Sequence, residues 1–339
     1  MKSLAYVFHG LKLAVCGEER ILAALARRLG QFPAADPAQP SHLRFTFHAV
    51  PDPASHRVSL PPGVNRSVLD LPGARALYFE ATRQLYLDFS GRARVLCDTE
   101  GGDVCVSHLE SETDNPILLT HPCFIVPLSE LLKRRGLYMV HAAGVSLDGK
   151  GLLIAGASGA GKTTLALALV RAGFGFLGDD TNFLRAGPDG LRALAFPDEA
   201  DVAPATAGFF PEVRGLLGEQ ASAGRRKQPL NAKRCYAVSP SWECVPAALV
   251  FPQVTAVHQS ALAPLSKSAA LLDLVCNVVR TDAGLAQAHL DALAALVNQC
   301  PCFRLHAGRD FDALPALLRT LLCPAEPFAT PANLPDRSA

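Results

Sequence analysis

The chain has 339 residues, of which 49% are hydrophobic and 19% are charged, a balance that is typical of globular proteins and excludes an intrinsically disordered chain. This length predicts about two domains. The formal net charge of +1 provides no bulk electrostatic attraction to nucleic acid or to a membrane surface, so we expect neither as a partner.

The sequence predicts a cytoplasmic protein with reduced thiols. Residues 4–15 alternate instead of forming the apolar segment of a signal peptide. No stretch of about 18 residues is apolar enough to cross a bilayer. The ten cysteines are therefore expected to be reduced and mostly buried, and their spacing matches no zinc-binding pattern.

Residues 1–122 are predicted to form a β-rich domain that could dock a substrate. Residues 4–15 and 43–50 alternate between apolar and polar side chains, as half-buried strands do. Between them, residues 18–29 place apolar side chains on one helical face, and the three prolines of residues 33–40 indicate a loop. Short strands separated by turn-like residues follow at 76–81, 84–89, 92–97 and 103–109. This order predicts an antiparallel meander in a mostly antiparallel domain.

A second domain is predicted over residues 123–323 and begins with a helix at residues 122–135. Its next elements are a strand, a second strand, a helix and a third strand, at residues 137–147, 151–155, 162–172 and 174–180. Further along, a strand, two helices, a strand and a last helix are predicted at residues 247–251, 266–280, 281–299, 302–306 and 310–322. Residues 324–339 hold four prolines and are expected to be a disordered tail.

The segment between the strand at 151–155 and the following helix carries the strongest chemical signal. Gly156-Ala-Ser-Gly-Ala-Gly-Lys-Thr163, here called the glycine loop, satisfies the P-loop pattern G-x-x-x-x-G-K-[ST]. Glycines let the main chain approach phosphate oxygens, and the loop amides and the helix N-terminus then face the anion. Lys162 would neutralise the β- and γ-phosphates, and the Thr163 hydroxyl would bind Mg²⁺. The expected nucleotide-binding residues are Gly156, Ala157, Ser158, Gly159, Ala160, Gly161, Lys162, Thr163 and Thr164.

Two further positions could complete a site around this loop. Asp179 and Asp180 end the predicted strand at 174–180, and the carboxyl ends of parallel strands share one edge of a sheet. One carboxylate would hold the metal and the other would accept a proton from a substrate hydroxyl, whereas a helix or loop cap is the structural alternative for the pair. His141, on the predicted strand before the loop strand, has small neighbours that leave room for a ligand. A hydrogen-bonded core histidine is the simpler interpretation of its position.

In combination, these segments resemble the core of the HPr kinase/phosphorylase family. The resemblance is closer to the divergent HPr kinase-related branch, which includes the serine kinases that tailor lasso peptides. It covers about residues 123–322 of the 339. It is carried by His141-Ala-Ala-Gly-Val, the glycine loop with Thr-Leu-Ala after it, Arg171-Ala-Gly-Phe-Gly-Phe-Leu-Gly-Asp-Asp, Pro264-Leu-Ser-Lys-Ser-Ala-Ala-Leu-Leu and Pro301-Cys-Phe-Arg-Leu.

The resemblance implies a phosphoenolpyruvate-carboxykinase-like P-loop fold of the α/β class with ATP and Mg²⁺ as cofactors. It implies that His141 lies beside the acceptor hydroxyl, that Asp179 serves the metal and that Asp180 is the general base, although the order of the two aspartates stays open. It also implies a later basic residue at the phosphates or substrate, for which Lys227 is the candidate. Residues 196–202 lack the family's Glu-Val-Arg-Gly-type signature, which argues against HPr as the substrate.

Three functions follow as hypotheses. The first is a kinase for a serine hydroxyl of a peptide or protein, where analogy favours a lasso-type peptide docked by strand addition to the N-terminal domain. The second is a kinase for a small molecule such as free serine. The third is a nucleotide-dependent regulatory protein without transfer activity, against which the intact loop lysine, loop threonine and aspartate pair argue. The resemblance also implies homo-oligomers, although no interface can be read from the sequence.

Overall fold

A computed structural model describes residues 1–71, 73–114, 116–196, 199–217, 227–238, 241–275 and 281–322. Over these ranges the protein is a mixed α/β structure with two large β-sheets and helices packed against them. The predicted tail at residues 324–339 and the end of the helix predicted at 266–280 lie outside the described residues.

The first sheet has eight strands in the spatial order β1-β2-β3-β8-β7-β6-β5-β4. The strands are β1 (Lys2–Phe8), β2 (Leu11–Gly17), β3 (Leu43–Val50), β4 (Arg66–Leu71), β5 (Ala74–Phe79), β6 (Gln84–Asp88), β7 (Ala93–Asp98) and β8 (Asp103–Leu109). From β4 to β8 the strands form the antiparallel meander that the sequence predicts. β3 departs from it, because β3 pairs in parallel with both β2 and β8.

The prediction of one strand at residues 4–15 is wrong. The chain reverses at His9 and Gly10, whose φ angles are 45° and 89°, so β1 and β2 form an antiparallel hairpin. A helix, α1 (Glu19–Leu29), then provides the crossover that the parallel strands β2 and β3 require. Its apolar face packs in the core of the first sheet through Ile21, Leu22, Leu25 and Leu29.

The second sheet has nine strands, and its main path runs β12-β10-β11-β17-β14-β13-β9. β19 adds to it beside β17 and also pairs with β18. These strands are β9 (Leu137–Val140), β10 (Ala142–Leu147), β11 (Lys150–Ala155), β12 (Gly175–Gly178), β13 (Asn182–Gly187), β14 (Gly190–Ala195), β17 (Glu243–Val254), β18 (Ala261–Pro264) and β19 (Cys302–Ala307). A separate ribbon pairs β15 (Ala200–Val202) with β16 (Gln228–Leu230).

Helices cover both faces of the second sheet. The helices after α1 are α2 (Pro116–Thr120), α3 (Pro122–Lys133), α4 (Lys162–Arg171), α5 (Pro204–Phe209), α6 (Pro211–Leu217), α7 (Ala232–Tyr236), α8 (Lys267–Val275), α9 (Ala283–Gln299) and α10 (Leu314–Leu322). Successive side chains of a strand point to opposite faces. In β11, Leu152 and Ile154 accordingly pack with α4 and α10, whereas Leu153 and Ala155 pack with α8 and α9.

One hydrophobic core contains side chains of both sheets. Phe8 of β1 has its ring centroid 4.9 Å from that of Phe32, 5.5 Å from Phe183 and 5.9 Å from Phe196, and the last two belong to the second sheet region. The largely buried helix α3 packs against β7 of the first sheet and β9 of the second. The predicted domain boundary after residue 122 therefore falls inside a common core, and the boundary itself stays a prediction.

The cysteines are distributed through these cores. Eight lie within the described residues as free thiols, and five of them are buried. Over the same ranges, no helix has both the length and the apolar character that a membrane span requires.

Candidate functional site

The glycine loop joins β11 to α4 and has glycines in backbone conformations that side chains with a Cβ rarely adopt. Gly156, Gly159 and Gly161 have φ angles of 148°, 83° and 99°. Lys162 is buried, and its Nζ donates hydrogen bonds to the carbonyl oxygens of Gly156 and Ala157 at 2.9 and 3.4 Å. The glycines thus set the shape of the loop, and the ammonium group lies against it.

Three strand ends bring the predicted site residues to one edge of the second sheet. β10 lies between β11 and β12 and is antiparallel to both, so the start of β10 meets the ends of its neighbours. His141 precedes β10, the glycine loop follows β11, and Asp179 and Asp180 follow β12. The sequence predicts this common edge because the carboxyl ends of parallel strands meet at one edge of a sheet. β11 and β12 run in the same direction and end at one edge, although the antiparallel strand β10 lies between them.

The sequence predicts one strand over residues 137–147, which would include His141. In the structure, His141 instead lies between two strands, β9 and β10. β9 pairs with β13, whereas β10 pairs with β11 and β12. His141 is the residue at which the chain passes from one part of the sheet to the other. This position places the imidazole at the edge where the glycine loop begins.

Asp179 is buried behind the glycine loop. Its Oδ2 accepts hydrogen bonds from the Thr163 hydroxyl and from the backbone N–H of Asp201, both at 3.0 Å. Its Oδ1 is buried and has no hydrogen-bond partner among the described residues. Burial raises the pKa of the Asp179 carboxyl to about 7, with a further contribution from Asp180, against the effect of these hydrogen bonds. A buried carboxylate with an unpartnered oxygen is costly without a cation, so the position favours one.

Asp180 faces the solvent-accessible side of the same edge. Its Oδ1 lies 3.8 Å from Lys162 Nζ and 3.9 Å from His141 Nε2, and 34% of its side chain is exposed. Burial lowers the pKa of His141, and the negative charge of Asp180 opposes this effect while Lys162 and Lys227 reinforce it. The imidazole is therefore neutral at neutral pH and can exchange hydrogen bonds with a ligand.

These side chains line a cleft of about 470 Å³. The predicted site residues that line it are His141, Ser158, Gly159, Gly161, Lys162, Thr163, Thr164, Asp180 and Lys227. The other predicted positions, Gly156, Ala157, Ala160 and Asp179, are not part of this lining. Asp201 and Thr206 line the cleft as well, and Thr206 exchanges a hydrogen bond with Thr164 at 2.8 Å. No sequence pattern singles out either residue. Arg225 and Arg226, which precede Lys227 in a basic run of the sequence, lie outside the described residues.

A smaller apolar pocket of about 160 Å³ adjoins the cleft at the start of α4. It shares Gly161, Thr164, Phe209 and Val254 with the cleft. The rings of Phe209 and Phe311 lie 4.7 Å apart at an angle of 41°. Aromatic and aliphatic walls of this kind suit a flat aromatic group.

The oxygen donors of this edge fit a magnesium ion. No group of three His, Cys, Asp or Glu side chains that could hold a metal occurs in the part of the chain that the structure describes. Mg²⁺ does not need one, since it usually takes one or two protein oxygens and completes its shell with water and phosphate. Thr163 Oγ1 donates a hydrogen bond to Oδ2 of Asp179, and Oδ1 of the same carboxyl has no partner among the described residues. The same oxygens would accept Mn²⁺.

Comparisons with known proteins add little to this geometry. No protein-family model matches the chain, and no curated protein matches it. Among solved structures it is similar to the Hpr(Ser) kinase/phosphatase from Coxiella burnetii, with 12% identity, 54% of this chain and 93% of that chain covered, and a TM-score of 0.28. At this TM-score the likeness establishes neither fold nor activity, so the function depends on the geometry of the site.

Proposed function

We propose that the protein is a P-loop phosphotransferase that transfers the γ-phosphoryl group of ATP to a hydroxyl group. One observation carries the proposal. The glycine loop, a buried lysine, a buried carboxylate and a partly exposed carboxylate lie close together at one edge of the second sheet. In phosphoryl transfer the protein contributes mainly positioning and electrostatic stabilisation. These groups can provide both, in the phosphoenolpyruvate-carboxykinase-like arrangement that the sequence resemblance implies.

The nucleotide side of the site would consist of the glycine loop, α4 and the apolar pocket. The first N–H groups of a helix have no partner within it, and the helix dipole favours an anion there. Lys162 adds a positive charge, now hydrogen-bonded to loop carbonyls that a phosphate would replace. The pocket lined by Phe209 and Phe311 supports a nucleobase beside the loop.

Thr163 and Asp179 would hold the metal. Bound Mg²⁺ neutralises phosphate charge and polarises the γ-phosphoryl group. The unpartnered Oδ1 of Asp179 and its bond to Thr163 support this assignment over one to Asp180. Asp180, which lies in the cleft, is left for the proton.

The acceptor side would consist of Asp180 and His141. The Asp180 carboxylate accepts the hydroxyl proton, and the neutral His141 imidazole orients the hydroxyl by a hydrogen bond. Lys162 contacts both the glycine loop and Asp180, so one ammonium group links the phosphate side to the acceptor side. We assign serine as the acceptor type by analogy only. Peptide and small-molecule acceptors both stay open, and the lasso-peptide role, strand addition, oligomers and cytoplasmic location stay predictions.

Nucleotide binding and transfer test this function separately. Titration of the purified protein with ATP and Mg²⁺ should give saturable heat of binding that chelation of the metal weakens. Incubation with γ-labelled ATP should then move label to a serine-containing peptide or to L-serine. Absence of saturable binding would overturn the proposal. Tight binding without hydrolysis or transfer to any hydroxyl would favour the regulatory alternative.

A further inference from the structure

A second cavity lies beside the catalytic cleft, on the side of the first sheet. It has a volume of about 380 Å³, within the range of small-ligand sites. Its wall includes Arg27 and Arg28 of α1, His121 before α3, and Asp201 and Lys227 of the β15–β16 ribbon region. We call it the α1 cavity. The N-terminal segment therefore contributes side chains next to the candidate site.

The α1 cavity adjoins the catalytic cleft. Asp201 and Lys227 line both. His121, on the wall of the α1 cavity, interacts electrostatically with charged residues of both the α1 cavity and the cleft. Loss of solvent contact lowers its pKa, and Arg28 lowers it further, while Asp180 and Asp201 act in the opposite direction. A group that extends from the α1 cavity into the cleft would therefore contact the arginines of α1 with one part and reach Asp180 with another.

The wall of the α1 cavity carries the basic side chains Arg27, Arg28 and Lys227 and the acidic side chains Glu199 and Asp201. A mixed wall of this kind suits an occupant that has both a carboxylate and hydrogen-bond donors, with the carboxylate at the arginines. Arg27 and Arg28 stand in the last turn of α1, where the helix dipole alone favours basic residues. Basic residues at the end of a helix are therefore no evidence of a binding site by themselves. The evidence is that both arginines lie on the wall of this cavity. Guanidinium groups bind carboxylates through paired hydrogen bonds. Ile117 and Pro229 add apolar surface, which suits the carbon skeleton of an amino acid.

We infer that the α1 cavity holds the phosphoryl acceptor and that Arg27 and Arg28 bind a carboxylate of that acceptor. The inference rests on the proposed function and adds the substrate class, which is a hydroxyl compound with a carboxylate close to the hydroxyl. The acceptor oxygen forms a bond to the γ-phosphorus, the bond from this phosphorus to the β,γ-bridging oxygen breaks, and ADP leaves. The hydroxyl proton goes to Asp180. The carboxylate can come from a free hydroxy amino acid or from an acidic peptide segment.

Matched acceptor pairs that differ only in charge test the carboxylate. One pair is L-serine and L-serinamide, and the other is a serine heptapeptide flanked by Glu and the same peptide flanked by Gln. The wild-type protein should use at least one acidic member with a KM about ten- to a hundredfold below that of its neutral partner, since hydrogen bonds to charged groups are worth that factor. The pair that responds identifies the source of the carboxylate. No preference in either pair, or no binding or transfer of either acid, overturns the inference.

Variants of α1 then test the arginines. In the double variant Arg27→Gln/Arg28→Gln, the KM of the acidic acceptor should rise to that of its neutral partner. Acceptor-free ATP hydrolysis and ATP affinity are measured in the same samples. Arg27→Lys/Arg28→Lys should recover part of it. Arg20→Gln is the matched control, because Arg20 is on the same helix but pairs with Asp114 at 2.8 Å in solvent. An unchanged preference in the double Gln variant overturns the inference and leaves the proposed function standing.

A variant that blocks the α1 cavity without touching its charges provides an independent measurement. Ile117 is 69% exposed, so Ile117→Trp should fold and should fill space at the cavity wall. We expect acceptor KM to rise about tenfold or more with ATP affinity unchanged. Acceptor kinetics equal to those of the wild-type protein would place the acceptor elsewhere. Loss of Mg²⁺-dependent ATP binding in the wild-type protein would instead overturn the proposed function itself.

Discussion

Two regions of the molecule bury charged side chains and surround them differently. In α3, Lys133 donates to Glu130, and the other carboxylate oxygen of Glu130 accepts from the Thr281 hydroxyl. At the edge of the second sheet, Asp179 has one oxygen with two hydrogen bonds and one buried oxygen with none. A satisfied buried pair can serve stability, whereas an unsatisfied buried carboxylate costs free energy in the ligand-free protein. The difference marks the α3 pair as structural and the Asp179 region as a binding site.

The largest effect is expected for Lys162→Ala. Lys162 is the ammonium group that contacts both the glycine loop and Asp180, whereas Lys227 lies at the wall of the cleft. We expect transfer to fall by about 10³-fold or more, as for other electrostatic contacts to a transferring phosphoryl group. Label transfer from γ-labelled ATP measures it. Lys267→Ala, an exposed lysine bound to the Asn298 carbonyl, is the control. Transfer within tenfold of the wild-type rate would contradict the role of Lys162.

Asp180→Asn should separate the two neighbouring carboxylates. If Asp180 accepts the acceptor proton, kcat should fall by about 10²- to 10⁴-fold, the usual contribution of a general base. ATP affinity should change little, because the proposed metal ligand is Asp179 and not Asp180. Steady-state kinetics and calorimetric ATP binding on the same sample measure both quantities. A variant with near-native kcat would show that Asp180 is not the base.

The site could be predicted from the sequence where it is encoded by consecutive residues. The glycine loop and the Asp179–Asp180 pair are short continuous segments with a chemical pattern. The α1 cavity and Asp201 could not be predicted, because they depend on segments that approach only in the folded chain. The contact between His9 Nε2 and the Ala195 carbonyl, 186 residues apart, is one such approach. It joins the β1–β2 turn to the second sheet.

Strand lengths show the same limit at the local level. The sequence predicts a short strand at residues 247–251, but β17 runs over Glu243–Val254. Pro246 and Pro252 bound the predicted segment, and proline normally indicates a strand end because it lacks an N–H group. In the structure, β17 continues through both prolines because its neighbours β11 and β19 pair with it along this length. Tertiary pairing therefore outweighs the local signal.

Lys133→Met should destabilise the fold and test the structural side of the comparison. The substitution leaves Glu130, which is fully buried, without its ammonium partner, and breaking a buried ion pair in this way costs about 3–5 kcal/mol. Chemical denaturation measures the loss in the free energy of unfolding. The double variant Glu130→Leu/Lys133→Met removes both charges and should recover most of it. Equal stability of Lys133→Met and the wild-type protein would remove the distinction between the two regions.

Asp179→Asn should have the smallest effect and the opposite sign in the ligand-free protein. Replacing the carboxylate by an amide removes a buried negative charge. Oδ1 of the asparagine can still accept from Thr163 and from the N–H of Asp201, while its NH2 group takes the position of the unpartnered oxygen. We expect a gain of about 1–2 kcal/mol in the free energy of unfolding, measured by denaturation at pH 8, because a buried charge without a partner costs more than a buried neutral amide.

The same variant should respond in reverse when ligand is present. Binding to the native state stabilises a protein in proportion to the logarithm of ligand concentration over Kd. Saturating ATP with Mg²⁺ should therefore raise the Tm of the wild-type protein by more than that of Asp179→Asn. Removal of the metal by chelation should abolish this difference. Two results together would contradict this role: Asp179→Asn less stable than the wild-type protein without ligand, and an equal gain in Tm from ATP with Mg²⁺. Asp179 would then be a structural residue like Glu130, because its carboxylate would stabilise the ligand-free fold and would not contribute to binding a cation.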